Sequence, residues 1–452
     1  MKSINPSNLE VIQEFDEMSE SQVDQIIDQV HHTWQSWKLT SFDHRAKLLI
    51  QLAAALRKNK DRYAKTITAE MGKVLSESEA EIEKCAVTCE YYAENGEKFL
   101  ATEHISTEAS VSRVAYEPLG IVLGIMPWNF PFWQAFRYII PSMMAGNTCL
   151  LKHASNVSQC ALDIEEVMLE AGFPVDSFRT LLIPGKKMDR VIENPKVAAV
   201  TLTGSTEAGR AVASKAGEQL KKTVLELGGS DPYVILEDAD LDLAVSTCLK
   251  SRLINNGQSC IAAKRFIVVE SIYEDFKRTF MEAMKQKTYG DPLSEVDLGP
   301  MASTALRDEL HEQVLSSINE GAYCLLGGKI PKEKGAFYPP TILVNLHPGM
   351  PAFDEELFGP VASIISAKDE EEAIDLANQS CFGLGAAIFT RDVKRGEAIA
   401  QTKLQAGSCF VNELVHSDPR LPFGGIKDSG YGRELGSFGI KEFVNTKTVF
   451  VK

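Results

Sequence analysis
No apolar run in this sequence approaches the ~20 residues that a bilayer span requires; Ile121 to Ile125, a typical apolar stretch, is bounded by Gly120 and Pro127. No basic run of five or more occurs, and 47 Lys and Arg stand against 62 Asp and Glu, a net charge of −15. That balance repels polyanions, so neither nucleic acid nor an anionic membrane surface is an expected partner. The segment Met1-Lys2-Ser3-Ile4-Asn5-Pro6 has no apolar leader core and soon turns acidic, which predicts a soluble, cytoplasmic protein. The nine cysteines are odd in number and lack short-spaced pairs of metal-binding type, so a reducing compartment is expected rather than a disulfide framework, with no metal. Cys85 and Cys89 form an i, i+4 pair without a nearby His or second pair and read as packing. No internal repeat or low-complexity tract is present.

At 452 residues the chain exceeds the size at which one hydrophobic core keeps growing, and two or three domains are expected. From Ser21 to Leu100 apolar residues such as Val23, Ile26, Ile27 and Val30 recur at spacings of three and four, predicting helices over 21–38, 43–59, 61–71 and 75–100. Strand and helix then alternate from the buried strand 119–126 and the helix 131–145 through to a strand at 222–227, the rhythm of a parallel α/β sheet. A second α/β series runs from strand 232–235 to strand 408–411. A Gly-rich loop, Pro422 to Gly432, follows. The alternating, Val/Thr-rich segment from Glu442 to Val451 predicts an edge strand that needs a partner, which points to pairing with another subunit.

Four segments carry chemistry. Asn255-Asn256-Gly257-Gln258-Ser259-Cys260 sets one cysteine in a Gly-turned polar loop, where a thiol can be reached. Upstream, Glu226-Leu227-Gly228-Gly229 places a carboxylate at a strand end before two glycines that permit close backbone approach. Pro127-Trp128-Asn129-Phe130-Pro131 and Glu355-Glu356-Leu357-Phe358-Gly359-Pro360 complete the set. In this order they resemble the aldehyde dehydrogenase superfamily, over the chain from about residue 8 to the C-terminus.

The resemblance implies two Rossmann-like α/β domains and a small β oligomerisation arm: residues 1–100 with 117–228 for the cofactor, 229–426 for catalysis, and 101–116 with 440–452 joining subunits into a homodimer or homotetramer. It implies that Cys260 is the nucleophile, Glu226 the base and Asn129 an oxyanion donor. No Gly-x-Gly-x-x-Gly follows any expected strand, and Gly204 to Arg210 fails as a phosphate loop. The family binds its nicotinamide cofactor otherwise, which assigns Trp128, Lys152, Gly204, Ser205, Glu356 and Phe358 to that site. Pro184-Gly185-Lys186-Lys187 lacks a second glycine common in relatives. Ser155 stands where many NAD-preferring relatives carry Glu, and a hydroxyl tolerates a 2′-phosphate that a carboxylate repels, favouring NADP over NAD. Arg137 is about two turns along the helix that starts near Pro131; an arginine at this spacing holds the distal carboxylate in semialdehyde dehydrogenases of the family, with Ser259 and Ser417 as further contacts. The expected reaction is oxidation of succinate semialdehyde, as in the bacterial semialdehyde enzymes. A broad aliphatic or glutarate semialdehyde dehydrogenase and an inactive binding protein of the same fold are the alternatives.

Overall fold
The computed structural model describes residues 1–452. Two sheets dominate it. The first has six strands in the order Gly430–Tyr431, Lys222–Glu226, Val197–Thr203, Ile121–Met126, Thr148–His153 and Phe178–Thr180, all neighbours parallel except the first pair. Its central strand is apolar throughout, as a strand covered on both faces must be. Gly124 within it has no side chain because a Cβ there would enter the Tyr138 ring. The helix Pro131–Met144 therefore lies directly on the sheet, with every one of its residues buried, and Tyr138 donates to the Leu150 carbonyl at 3.0 Å.

The second sheet has seven strands: Tyr323–Leu326, Thr341–Val344, Val361–Ala367, Arg265–Val269, Pro232–Ile235, Gly385–Phe389 and Ser408–Val411. Only the first pair is antiparallel. A third, three-stranded sheet runs Val444–Val451, Val111–Pro118, Glu103–His104. The C-terminal strand thus differs from expectation on one edge. It pairs antiparallel with the chain's own Val111–Pro118, from Val444 opposite Pro118 to Val451 opposite Val111, and only its other edge is open. No helix is long and apolar enough to cross a membrane.

Most predicted elements are present within a residue or two. The N-terminal hairpin of Lys2–Ile4 with Val11–Glu14 was not anticipated, because its second strand is exposed throughout and shows no alternation. The helix Val393–Thr402 also escapes the pattern: Gly396 interrupts it. That glycine is fixed by packing, since a Cβ would meet Val411 Cγ1 at 2.8 Å and Thr390 Cγ2 at 3.0 Å. The expected helix 186–193 is a short 3₁₀ turn, Gly185–Lys187, followed by Met188–Glu193. Cys85 and Cys89 are buried among apolar side chains of the helix Leu75–Phe99.

The two layers nearest the site are tied by a buried ion pair. Lys73 Nζ meets Glu81 Oε2 at 2.5 Å with both side chains essentially inaccessible. The other carboxylate oxygen accepts the Phe132 and Trp133 N–H groups at 2.8 and 3.0 Å, capping the N-terminus of Pro131–Met144 where the helix dipole favours an anion. Removing Glu81 leaves Lys73 as a buried charge and two orphaned donors. Glu81→Ala is expected to cost about 3–5 kcal/mol and to lower the thermal midpoint markedly; a midpoint unchanged in calorimetry contradicts this account of the pair.

Candidate active site
Most of the residues singled out in the sequence meet at the C-terminal edge of the six-stranded sheet and the start of the seven-stranded one. Trp128 and Asn129 follow the strand Ile121–Met126; Lys152 is next to last in Thr148–His153, and Gly204 and Ser205 follow Val197–Thr203. Glu226 is the last residue of Lys222–Glu226. Ligands of open parallel sheets bind at this edge.

Cys260 reaches the same place through an unusual turn. After the helix Leu241–Leu253, Asn255 (φ 55°), Asn256 (φ 57°) and Gly257 (φ 76°) are all left-handed, a conformation open to Gly and Asn and unfavourable for other residues. Side-chain amides hold it. Asn255 Nδ2 donates to the carbonyls of Asn129 (2.7 Å) and Gln258 (2.9 Å), and Asn256 Nδ2 to those of Gly72 (3.0 Å) and Pro300 (2.9 Å). Lys264 Nζ donates to the carbonyls of Ser259 (2.8 Å) and Cys260 (2.7 Å) and lies 3.4 Å from Glu356 Oε1. The Cys260 N–H makes no hydrogen bond within the protein, and Asn129 Nδ2, which donates to Gln258 O at 3.0 Å, retains one further hydrogen.

Cys260 lines two cavities. One, of about 390 Å³, is bounded by Trp128, Asn129, Gly204, Ser205, Gly228, Glu356 and Phe358. Trp128 and Phe358 meet edge to face there at 5.7 Å, and Glu356 Oε1 accepts the Gly229 N–H at 3.0 Å. A Cβ at Gly228 would come within 2.7 Å of Glu356 Oε2. The other cavity, of about 190 Å³, is lined by Lys84, Trp133, Arg137, Ser259, His416 and Ser417 among others. Lys152 and Ser155 stand outside both linings. Lys152 is a buried ammonium on which only desolvation acts, pushing its pKa down. His153 fixes the turn between them: the Ala154 N–H donates to Nδ1 at 3.0 Å, which leaves Nε2–H to donate to Pro131 O at 2.8 Å. Burial lowers that imidazole to about 4, so the ring is neutral.

Electrostatics sort the titratable groups. Burial pushes the Cys260 thiol up to about 12, against the pull of Lys264 and Arg137. Glu226 is buried, neither carboxylate oxygen has a hydrogen-bond partner, and burial followed by repulsion from Glu434 raises its pKa well above the carboxylate range. Arg137 lines the smaller cavity as anticipated, yet its Nε is ion-paired with buried Glu434, and its Nη2 reaches Thr203 Oγ1 at 3.4 Å. Glu434, Lys264 and Lys84 were not singled out in the sequence. Each leaves a signal: Lys264 stands with Arg265 just before the apolar run Phe266 to Val269, Lys84 lies beside the apolar face of its helix, and Glu434 follows the Gly-rich loop.

A Cβ at Gly257 would overlap the Gly359 carbonyl group, in a conformation that already disfavours it. Gly257→Ala is expected to displace the thiol and lower turnover about 10²-fold. Iodoacetamide labelling of Cys260 should slow in parallel, and unaltered labelling and turnover contradict the role given to this turn.

Known proteins resemble this chain over its whole length. The sequence model of the Aldehyde dehydrogenase family matches residues 1–449. The probable NADP(+) succinate-semialdehyde dehydrogenase of Synechocystis sp. is 47% identical over 450 residues, 99% of each chain. NADP(+) succinate-semialdehyde dehydrogenase 1 of Mycobacterium tuberculosis is 45% identical over 453 residues, again 99% of each. The solved succinic semialdehyde dehydrogenase of Streptococcus pyogenes, in complex with NADP+ as the cofactor, superposes with a TM-score of 0.97 at 37% identity, covering 100% of this chain and 99% of that one. With a sequence match over nearly its whole length and a fold shared from end to end, this chain belongs to the aldehyde dehydrogenase family.

Proposed function
We propose that the protein oxidises succinate semialdehyde to succinate with NADP, through a thiohemiacetal and a thioester on Cys260. The observation that carries this reading is the position of Cys260 on both cavities, one suited to a dinucleotide and the other ending in cationic and hydroxyl side chains. Full-length relatives at 45–47% identity named as NADP(+) succinate-semialdehyde dehydrogenases support it.

The larger cavity fits a nicotinamide cofactor. Gly228 keeps its wall thin against Glu356, Phe358 and Trp128 offer aromatic surface, and Glu356, held by Lys264, presents a carboxylate for ribose hydroxyls. Ser205 caps the helix Thr206–Glu218, accepting the Ala208 N–H at 3.2 Å, so a helix N-terminus faces the region expected for phosphates. Lys152, buried without a counter-charge, and the Ser155 hydroxyl suit the adenosine ribose and its 2′-phosphate. When bound, the oxidised cofactor supplies the hydride acceptor and a positive charge beside Cys260.

The chain's own residues do the rest. The Cys260 thiol gives its proton to solvent water, Sγ adds as the thiolate to the aldehyde carbon, and the resulting oxyanion takes hydrogen bonds from the free Cys260 N–H and the second Asn129 Nδ2 hydrogen. Loss of hydride leaves the thioester. Glu226 then accepts a proton from water, which attacks the thioester carbon, expels the Cys260 sulfur and yields the acid. Glu226 sits at the junction of the strand Lys222–Glu226 with Gly430, on the rim of the Gly-rich loop. Residues 101–116 and 440–452, whose sheet leaves one strand edge open, are assigned to subunit association as a dimer or tetramer, and the two large sheets to cofactor binding and catalysis in turn. A protein without a membrane-crossing helix and with bacterial relatives is assigned to the cytoplasm.

Initial rates with succinate semialdehyde and with butyraldehyde, each with NADP and NAD, test the assignment. The acid substrate with NADP is expected to be best; equal rates for both aldehydes overturn it in favour of a general aldehyde dehydrogenase. Cys260→Ala is expected to abolish turnover. Glu226→Gln is expected to release one burst of NADPH and then stall, with thioester hydrolysis slowed about 10²–10⁴-fold. Because burial and Glu434 raise the pKa of Glu226, its base form grows as pH rises, so wild-type hydrolysis should accelerate through neutral and alkaline pH while the Gln variant stays flat.

A further inference from the structure
Lys264 is enclosed, and its ammonium faces the loop that carries the nucleophile. Its backbone is fixed in the seven-stranded sheet: the N–H donates to Asp231 O at 3.1 Å, and the carbonyl accepts the Ser363 N–H at 3.0 Å. From that rigid base Nζ donates to Ser259 O at 2.8 Å and Cys260 O at 2.7 Å, and it lies 3.4 Å from Glu356 Oε1. The same Glu356 oxygen accepts the Gly229 N–H. The Cys260 carbonyl in turn packs on Gly229, where a Cβ would come within 2.7 Å of its oxygen. Gly229, Glu356, Lys264 and Cys260 thus form a closed ring of contacts.

The Ser259 carbonyl and the Cys260 N–H belong to one planar peptide, and no peptide in the chain is cis, so holding the first fixes the direction of the second. That N–H is the donor left free for an oxyanion. The charge of Lys264 acts separately. Three buried cations, Lys264, Arg252 and Arg265, stand against the carboxylates of Asp231 and Glu356, which leaves positive charge over. Arg252 donates to Gly257 O at 2.5 Å, and Arg265 to the carbonyls of Ser230, Leu376 and Ala377. Neither is bonded to Ser259 or Cys260. Burial raises the Cys260 thiol, and Lys264 opposes burial more strongly than Arg137 does, whereas Glu356 and Asp231 act in the same direction as burial.

We propose, resting on the reading of Cys260 as the nucleophile, that Lys264 is a positioning residue: it holds the Ser259 and Cys260 carbonyl groups and supplies the fixed positive charge beside which the Cys260 thiolate forms. An arginine at this position keeps the charge. A glutamine keeps N–H donors for the carbonyl groups and loses the charge.

The charge is read by alkylating the cofactor-free enzyme with iodoacetamide, which is neutral, and with iodoacetate, which is an anion. Both consume the same thiolate, so the ratio of their rate constants at Cys260, followed by peptide mapping, cancels the thiolate population and reports the charge around the sulfur. In Lys264→Met and Lys264→Gln the iodoacetate to iodoacetamide ratio is expected to fall about 3- to 10-fold. The iodoacetamide rate itself is expected to fall about tenfold at pH 8, as the thiol becomes harder to ionise. Lys264→Arg is expected to keep the ratio within about twofold of wild type. Arg137, the other cation that acts on the thiol, is the same in every variant. A loop that is merely displaced slows both reagents alike and leaves the ratio where it was. If Lys264→Met does not fold, Lys264→Gln decides, because it retains donors for the two carbonyl groups. A ratio that Lys264→Gln leaves unchanged overturns the proposal, even where turnover falls. Full turnover by wild type after complete alkylation of Cys260 is a separate result, which overturns the nucleophile reading itself.

Discussion
Three consecutive left-handed residues, Asn255, Asn256 and Gly257, govern the geometry of this molecule. Each non-glycine residue in that conformation costs roughly 1–2 kcal/mol, and the chain offsets the cost with amide side chains that bond outward. The partners are spread widely: Gly72 and Glu77 belong to the N-terminal helical layer, Asn129 to the six-stranded sheet's edge, and Pro300 to the segment beyond the helix Glu270–Lys285. One turn thus fastens three parts of the structure together, and the thiol is positioned by all of them at once. The loop is functional in placement and structural in attachment.

Around that turn the interior holds several charged side chains, some paired and some not. Lys73 with Glu81, Arg137 with Glu434 and Lys264 with Glu356 are paired, as buried ions must be when no solvent reaches them. Glu226, Lys84 and Lys152 have no ionic partner in the chain. Of these, only Lys84 lines a cavity that Cys260 also lines, while Glu226 and Lys152 stand outside both linings. A paired charge orients backbone or neighbouring side chains, while an unpaired one retains its capacity to act on something that arrives.

The sequence makes the fold legible because the α/β rhythm is strong and its strands are nearly uniform in apolarity; Ile121–Met126 and Arg265–Val269 could hardly be anything else. Cys260, Glu226 and Asn129 are legible because each sits in a short segment of glycine, proline and amide residues that packing alone does not require. What stays hidden is relational. That Arg137 is already neutralised depends on Glu434, almost three hundred positions away in the chain, and no local pattern links them. Lys84 is concealed differently: on a helix, a lysine next to the apolar stripe reads as a solvated residue that lies along it. The hairpin at Lys2–Ile4 and the helix with Gly396 are invisible for want of periodicity, since tertiary contact rather than propensity sets both.

The late position of the segment from Gly430 to Val451 has a consequence for biosynthesis. Gly430 and Tyr431 close the edge of the strand that ends in Glu226, Glu434 exchanges two backbone hydrogen bonds with Phe423 at 2.7 Å, and the final strand zips along Val111–Pro118. Until that segment docks, Glu226 lies on an open sheet edge without Glu434 beside it. At about 5–20 residues per second, that segment takes on the order of a few seconds to synthesise. The buried surroundings of Glu226 therefore exist only once the segment from Gly430 to Val451 has docked, so they and the turn that carries Cys260 are completed separately.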